Sequence, residues 1–185
     1  PVATPMAKLM PNSVPQNSVM RRYLTGLLAH HKELQLVMTP TISGYKRVQD
    51  YSFSPTQVTW GLDHRLVGVR SIVGAGSANR LEARWAAADA NPYLLAAVVL
   101  AGMHRGITQR LDPGPVLAGN AYRDTTPTIP MSWPEALAVF ERSEFAREYL
   151  GPRFASLYAA TRRGEMQDFQ SYVSALDYAW YLTTS

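Results

Sequence analysis

The chain is 185 residues long, enough for one domain with a sizeable core, and 46% of it is apolar, as in ordinary globular proteins. It has no cysteine, which excludes disulfides and thiolate metal sites, and nothing near the roughly 20 uninterrupted apolar residues of a membrane span. Its net charge of +4 rests on 18 basic residues, of which only Lys8, Lys32 and Lys46 are lysines. The arginines stand singly apart from Arg21-Arg22 and Arg162-Arg163, a pattern that does not suit a nucleic-acid surface.

Arginine dominates where planar, bidentate contacts to carboxylate or phosphate are made, although a genome that prefers arginine gives the same composition. Residues 1–18, rich in Pro, Ser and Asn, read as a tail or linker. No apolar run follows Lys8 as it would in a secretory signal, and a cytoplasmic location is expected. Ser18 caps a predicted helix from Val19 to about His31, with Met20, Tyr23, Leu24, Leu27 and Leu28 on one face. The stretch LQLVMTPTISGY that follows reads as a short extended segment and a turn. Strands are expected at Val58–Trp60, within GLDHRLVGVRSIV and at NRLEARW, with a turn at GAGSA.

Asn91 and Pro92 open a helix to about Gly106, apolar nearly all round and so expected to be buried. Residues 111–130, with prolines at 113, 115, 127 and 130, form a long irregular connection. Ser132-Trp133-Pro134-Glu135 has capping-box spacing before a helix to about Arg142. Ser143 caps a short helix, Pro152 begins a longer one to about Tyr172, and Ser174 starts a last, aromatic-rich helix. Strands come first and helices afterwards, so the class is α+β.

Arg80, Glu82 and Arg84 alternate along the third strand and share one side of it over roughly 13 Å. Leu81, Ala83 and Trp85 point the other way. One reading is a solvent face whose charges pair among themselves. The other is a polar cavity: an arginine fork suits phosphate oxygens, and a carboxylate between two cations stays ionised and can hold a divalent metal.

Further motifs stand around this strand. They are Tyr45-Lys46-Arg47, Pro55, Asp63-His64-Arg65 with Arg70 five positions on, and Ala90-Asn91-Pro92-Tyr93-Leu94. In this order the set resembles the C-terminal half of the catalytic domain of the glutamine synthetase superfamily. The resemblance implies antiparallel strands forming one wall of an active-site barrel, followed by helices. It also implies ATP-dependent phosphorylation of a glutamate side chain, displacement of phosphate by an amine, and a homo-oligomer without nucleic-acid or membrane partners. By that resemblance Arg47 and Arg84 bind the glutamate substrate's carboxylate end, Arg65 stabilises the transferring phosphoryl group, and Arg70 and Arg80 contact ATP. Glu82 is then a ligand of the bridging Mg2+ or Mn2+. Arg65 and Arg70 are an odd number of positions apart, so the strand should be interrupted between them, at Gly68 or because Arg65 lies in a loop.

Two departures stand out. Phe53 occupies the flap position, two before Pro55, where ammonium-using members of the family carry Glu. An aromatic there resembles the branch that joins glutamate to larger amines such as polyamines or ethanolamine. The Gly-rich, His-containing motif and most metal-binding glutamates of the N-terminal half have no counterpart in the sequence. The expectation is a C-terminal portion of such an enzyme that does not catalyse alone; the alternative is a non-catalytic relative kept for assembly or binding. His64 stands where Asn is common and reads as structural. Tyr122 lies where some bacterial members carry a regulatory tyrosine, but its neighbours differ and that role is not carried over.

Overall fold

The computed structural model describes residues 18–73, 79–124 and 128–182. The tail expected over 1–18, Ser18 apart, and the turn expected at GAGSA (74–78) lie outside these residues. The first helix, α1 (Ser18–Met38), runs well past the expected stop near His31. The segment expected to be extended is helical instead, because Leu34, Leu36, Val37 and Met38 continue the buried face. Short apolar runs fit helix or strand equally by period alone. Pro40 ends α1, since the residue before a proline is driven out of the helical region. A one-and-a-half-turn helix, α2 (Ile42–Arg47), carries Tyr45-Lys46-Arg47.

Three short strands follow: β1 (Trp60–Leu62), β2 (Val69–Ile72) and β3 (Arg80–Ala83), in sheet order β1-β2-β3. β2 and β3 are antiparallel, as expected, with Arg70 opposite Glu82. β1 and β2 are parallel, with Trp60 opposite Val69, which corrects the all-antiparallel expectation. Asp63 leaves β1 with a φ of 47°, so the chain loops out through residues 63–68 and re-enters beside Trp60 rather than folding into a hairpin. Arg65 lies in that loop, which is the interruption required to separate it from Arg70. Gly68 closes the loop because a side chain has no room there: an added Cβ would sit 1.8 Å from Cζ2 of Trp85.

Helix α3 (Pro92–Gln109) starts as its sequence dictates, with the Asn91 side chain accepting from the N–H groups of Tyr93 and Leu94. It lies directly on α1. A Cβ on Gly26 would fall 1.9 Å from the Gly102 carbonyl oxygen, and one on Gly106 would fall 1.8 Å from that of Arg22. The helix backbones therefore touch, as only glycine permits. The expectation that α3 is buried all round is corrected. Val98, Ala101, Gly102 and Gly106 are covered by α1, whereas Tyr93 and Leu100 are exposed.

A short helix, α4 (Ala121–Asp124), interrupts the proline-rich connection. Then come α5 (Trp133–Arg142), α6 (Glu144–Leu150), α7 (Pro152–Ser171) and α8 (Ala175–Tyr181). The Ser132, Ser143 and Ser174 hydroxyls each accept a backbone N–H at the predicted helix starts. Ser143 also donates to Glu33 Oε1 at 2.7 Å, which ties α6 to α1. The fold is α+β, a small sheet backed by helices. Among the described residues, no helix is long and apolar enough to cross a membrane.

Candidate active site

The β2–β3 register sets the centre of the site. Arg70 and Glu82 are opposed, and Arg70 Nη1 donates to Glu82 Oε2 at 3.2 Å. Arg84, two residues on from Glu82 and so on the same side, donates through Nε to the other carboxylate oxygen at 3.0 Å. Arg70 is shared with Asp63, which accepts from its Nε at 2.9 Å and also from its Nη2. Asp63 first, with Glu82, holds the Arg70 pKa above its ordinary value. Behind this polar face Trp85 is 1% exposed, Leu81 is half-buried, and Ala83, expected to face apolar packing, is exposed at the end of β3.

Three segments converge on the residues that follow β3. Arg47, at the end of α2, donates to the carbonyl oxygens of Trp85 at 3.3 Å and Ala86 at 3.1 Å. The 48–56 segment reaches Arg84 through the Phe53 carbonyl at 3.5 Å. The Trp85 ring stacks on buried His31 of α1, centroid to centroid 3.7 Å, and its Nε1 donates to Gln57 O at 3.3 Å. Arg84 is only 16% exposed, and its Nη1 is buried without a hydrogen-bond acceptor.

Arg80 stands exposed at the start of β3, opposite Ile72 and on the same side as Glu82. Arg65 is exposed in the 63–68 loop. Phe53 is 65% exposed, so its ring lines open space rather than core. Tyr51, Phe53 and Asp63 have φ of 63°, 60° and 47°, left-handed values that side chains rarely adopt. Such strain gathers where surrounding structure fixes the backbone for a purpose.

His64 is a structural residue. Its Nδ1 lies 3.1 Å from the Leu66 N–H and accepts from it, so its Nε2 carries the proton and donates to Gly119 O at 2.7 Å. This ties the loop to the proline-rich connection. The segment 54–58 is joined to the chain around α4 by four further bonds. Tyr122 donates its hydroxyl to Ser54 O (3.3 Å), Gln57 Nε2 donates to Ala121 O (3.0 Å), and Thr128 bonds Thr56 O and the Val58 N–H. Sequence reasoning missed the partnership of Asp63 with Arg70 and the nearness of Asn120 and Tyr122 to Phe53. Both depend on how loops return, which no periodicity records. Among the described residues no three His, Asp or Glu side chains converge as a metal-ligand set.

The model of the glutamine synthetase catalytic domain matches residues 9–181. The γ-glutamylethanolamide synthetase of Streptomyces coelicolor is 38% identical over 159 residues, which are 85% of this chain and 34% of the relative. The glutamate–isopropylamine ligase of a Pseudomonas species is 36% identical over 164 residues, 86% of this chain and 36% of the relative. Among solved structures, ligand-free GmaS matches with a TM-score of 0.78 at 30% identity, covering 90% of this chain and 38% of its own. The chain thus spans about a third of the length of the curated relatives it matches.

Proposed function

Because that match extends over residues 9–181, the chain belongs to the glutamine synthetase catalytic-domain family, and from that premise we propose that it is the C-terminal part of an ATP-dependent glutamate–amine ligase whose amine is larger than ammonia. ATP supplies the phosphoryl group that turns the glutamate side chain into an acyl phosphate, which the amine then attacks with loss of phosphate. The observation that carries this reading is the arginine cluster on one side of the β2–β3 pair: Arg70, Arg80 and Arg84 share that side with Glu82, and planar guanidinium groups suit phosphate and carboxylate oxygens.

In this reading Arg84 and Arg47 hold the glutamate. Arg70 and Arg80, on one side of the sheet, face ATP phosphate oxygens, and Arg65 in the loop stabilises the transferring group. These guanidinium groups fit phosphate and carboxylate chemistry. The divalent ion, Mg2+ or Mn2+, would take Glu82 as one ligand, and the described residues hold no group of three His, Asp or Glu side chains to complete its set. The chain on its own is then inactive, and the sheet is one wall of a barrel completed by further protein.

Phe53 selects the amine. A carboxylate at that position would attract ammonium by charge, whereas an exposed aromatic ring covers methylene groups, worth about 0.8 kcal/mol each. A homo-oligomer suits the apolar residues exposed on α7 and α8, among them Leu157, Phe169, Tyr178 and Trp180, and a cytoplasmic location belongs to the same proposal. The second reading, a non-catalytic relative, is favoured by one observation: Glu82 is engaged by two arginines.

ATP titration of the chain with magnesium, alone and with the N-terminal two-thirds of the Streptomyces relative supplied, separates the two. The ligase reading expects nucleotide binding that tightens when the missing part is added. Nucleotide binding in neither condition supports the non-catalytic relative.

A further inference from the structure

His31 and Trp85 are both buried, at 0% and 1% exposed, and their rings stack at 3.7 Å between centroids with 21° between planes. Neither imidazole nitrogen makes a hydrogen bond of good geometry, although Gln35 comes near enough to act on the ring. A polar ring buried without partners is unfavourable, and an apolar side chain at this place in α1 would remove that penalty. What the imidazole supplies instead is a flat face for the indole, and burial keeps the ring neutral.

The indole is held on further sides. Its Nε1 donates to Gln57 O at 3.3 Å, and Gly68 lies so close that an added Cβ would stand 1.8 Å from Cζ2. Three stretches of chain, α1, the 54–58 segment and the 63–68 loop, therefore meet on one side chain. Its own backbone leads into the site. The Trp85 and Ala86 carbonyls accept from Arg47 Nη2 at 3.3 Å and 3.1 Å. The Arg84 N–H donates to Gly68 O at 2.9 Å, and the Arg84 side chain leaves the backbone on the side opposite the indole. A tilt of the indole thus turns the backbone that carries Arg84 and shifts both carbonyls that hold Arg47. Arg70 is anchored differently, by Asp63 and Glu82.

We infer that His31 is a positioning residue: its ring sets the tilt of Trp85 and, through the 84–86 backbone, the relative placement of Arg47 and Arg84. That these two arginines hold a glutamate carboxylate rests on the ligase reading; their placement by His31 does not. A carboxylate gripped by planar guanidinium groups is sensitive to such placement, because each must meet it at a fixed angle.

NMR relaxation of the arginine Nε–H groups in the full chain, at neutral pH, tests this. In the native chain Arg47 and Arg70 should both be ordered. His31→Ala should loosen Arg47 and leave Arg70 ordered, and His31→Phe, which restores a flat face, should restore Arg47. Leu24→Ala, which deletes a buried side chain about two turns back on the same helix, should leave Arg47 ordered. Should His31→Ala lose its dispersed spectrum, His31→Leu carries the test, since it fills the volume without a flat face. Glutamate titrated into the same samples should bind about tenfold more weakly to His31→Ala, with ATP binding unchanged. An Arg47 signal indifferent to loss of the ring, not restored by His31→Phe, or loosened equally by Leu24→Ala, overturns the inference. A native chain that binds no glutamate, with Arg47 still dependent on His31, counts against the ligase reading alone.

Discussion

Arg70 and Arg84 hold the two oxygens of a single carboxylate, Glu82, at 3.2 Å and 3.0 Å, one across the β2–β3 register and the other from the same strand. The carboxylate is 41% exposed, so these ion pairs contribute modestly to stability. Glu82→Gln should lower the unfolding free energy by about 1 kcal/mol or less. In the presence of the N-terminal part it should abolish the magnesium dependence of ATP binding. Chemical denaturation and calorimetric titration with and without magnesium check the two halves separately. A large loss of stability with unchanged nucleotide binding would make the cluster structural.

Gly68 and Gly164 form a contrasting pair. A methyl at Gly68 meets the Trp85 ring at 1.8 Å, and the ring is confined between His31 and the strand, so it cannot step aside. Gly68→Ala should cost about 1–3 kcal/mol and change the near-ultraviolet circular dichroism of the buried tryptophan. Gly164, inside α7, has nothing within 4 Å of its would-be Cβ. Gly164→Ala should stabilise the chain by up to about 1 kcal/mol through helix propensity.

His31 makes stability fall in mild acid. Burial, partly offset by Gln35, lowers its pKa from 6.5 to about 3, so the folded chain keeps the ring neutral while the unfolded chain protonates it below 6.5. Its contribution is complete above pH 6.5 and is lost as pH falls from there toward about 3, with a slope of about 1.4 kcal/mol per pH unit. Denaturation midpoints between pH 7 and 4.5 should show that slope, and His31→Gln should flatten it. An unchanged slope in the variant would assign the acid sensitivity to other groups.

Helix starts were the most legible part of the sequence, because each is set by one side chain acting on its own backbone: Asn91, Ser132, Ser143 and Ser174 all cap as read. The Glu82–Arg84 side of β3 was legible too, because a period of two is local. The extension of α1 through Leu34–Met38 was not, since an apolar run carries no period when every position is buried or nearly so. Nor was the parallel β1–β2 pairing, which follows from the left-handed turn at Asp63. The exposed face of α3 was misread because hydrophobicity reports what a surface would bury, and no described element covers Tyr93 or Leu100. Asn120 and Tyr122 lie far along the chain from Phe53, and only the hydrogen bonds around α4 bring them together.

The most direct measurement is phosphate release dependent on ATP and glutamate, with 2-aminoethanol and with ammonium at matched free-base concentration. It uses the chain completed by the N-terminal two-thirds of the Streptomyces relative, native and as Phe53→Glu. Each methylene covered by the Phe53 ring favours the larger amine by about 0.8 kcal/mol. The native pair should therefore turn over 2-aminoethanol with little activity on ammonium, and Phe53→Glu should move the ratio toward ammonium. A native preference for ammonium, or a ratio indifferent to Phe53→Glu, would contradict the assignment of a large-amine glutamate ligase.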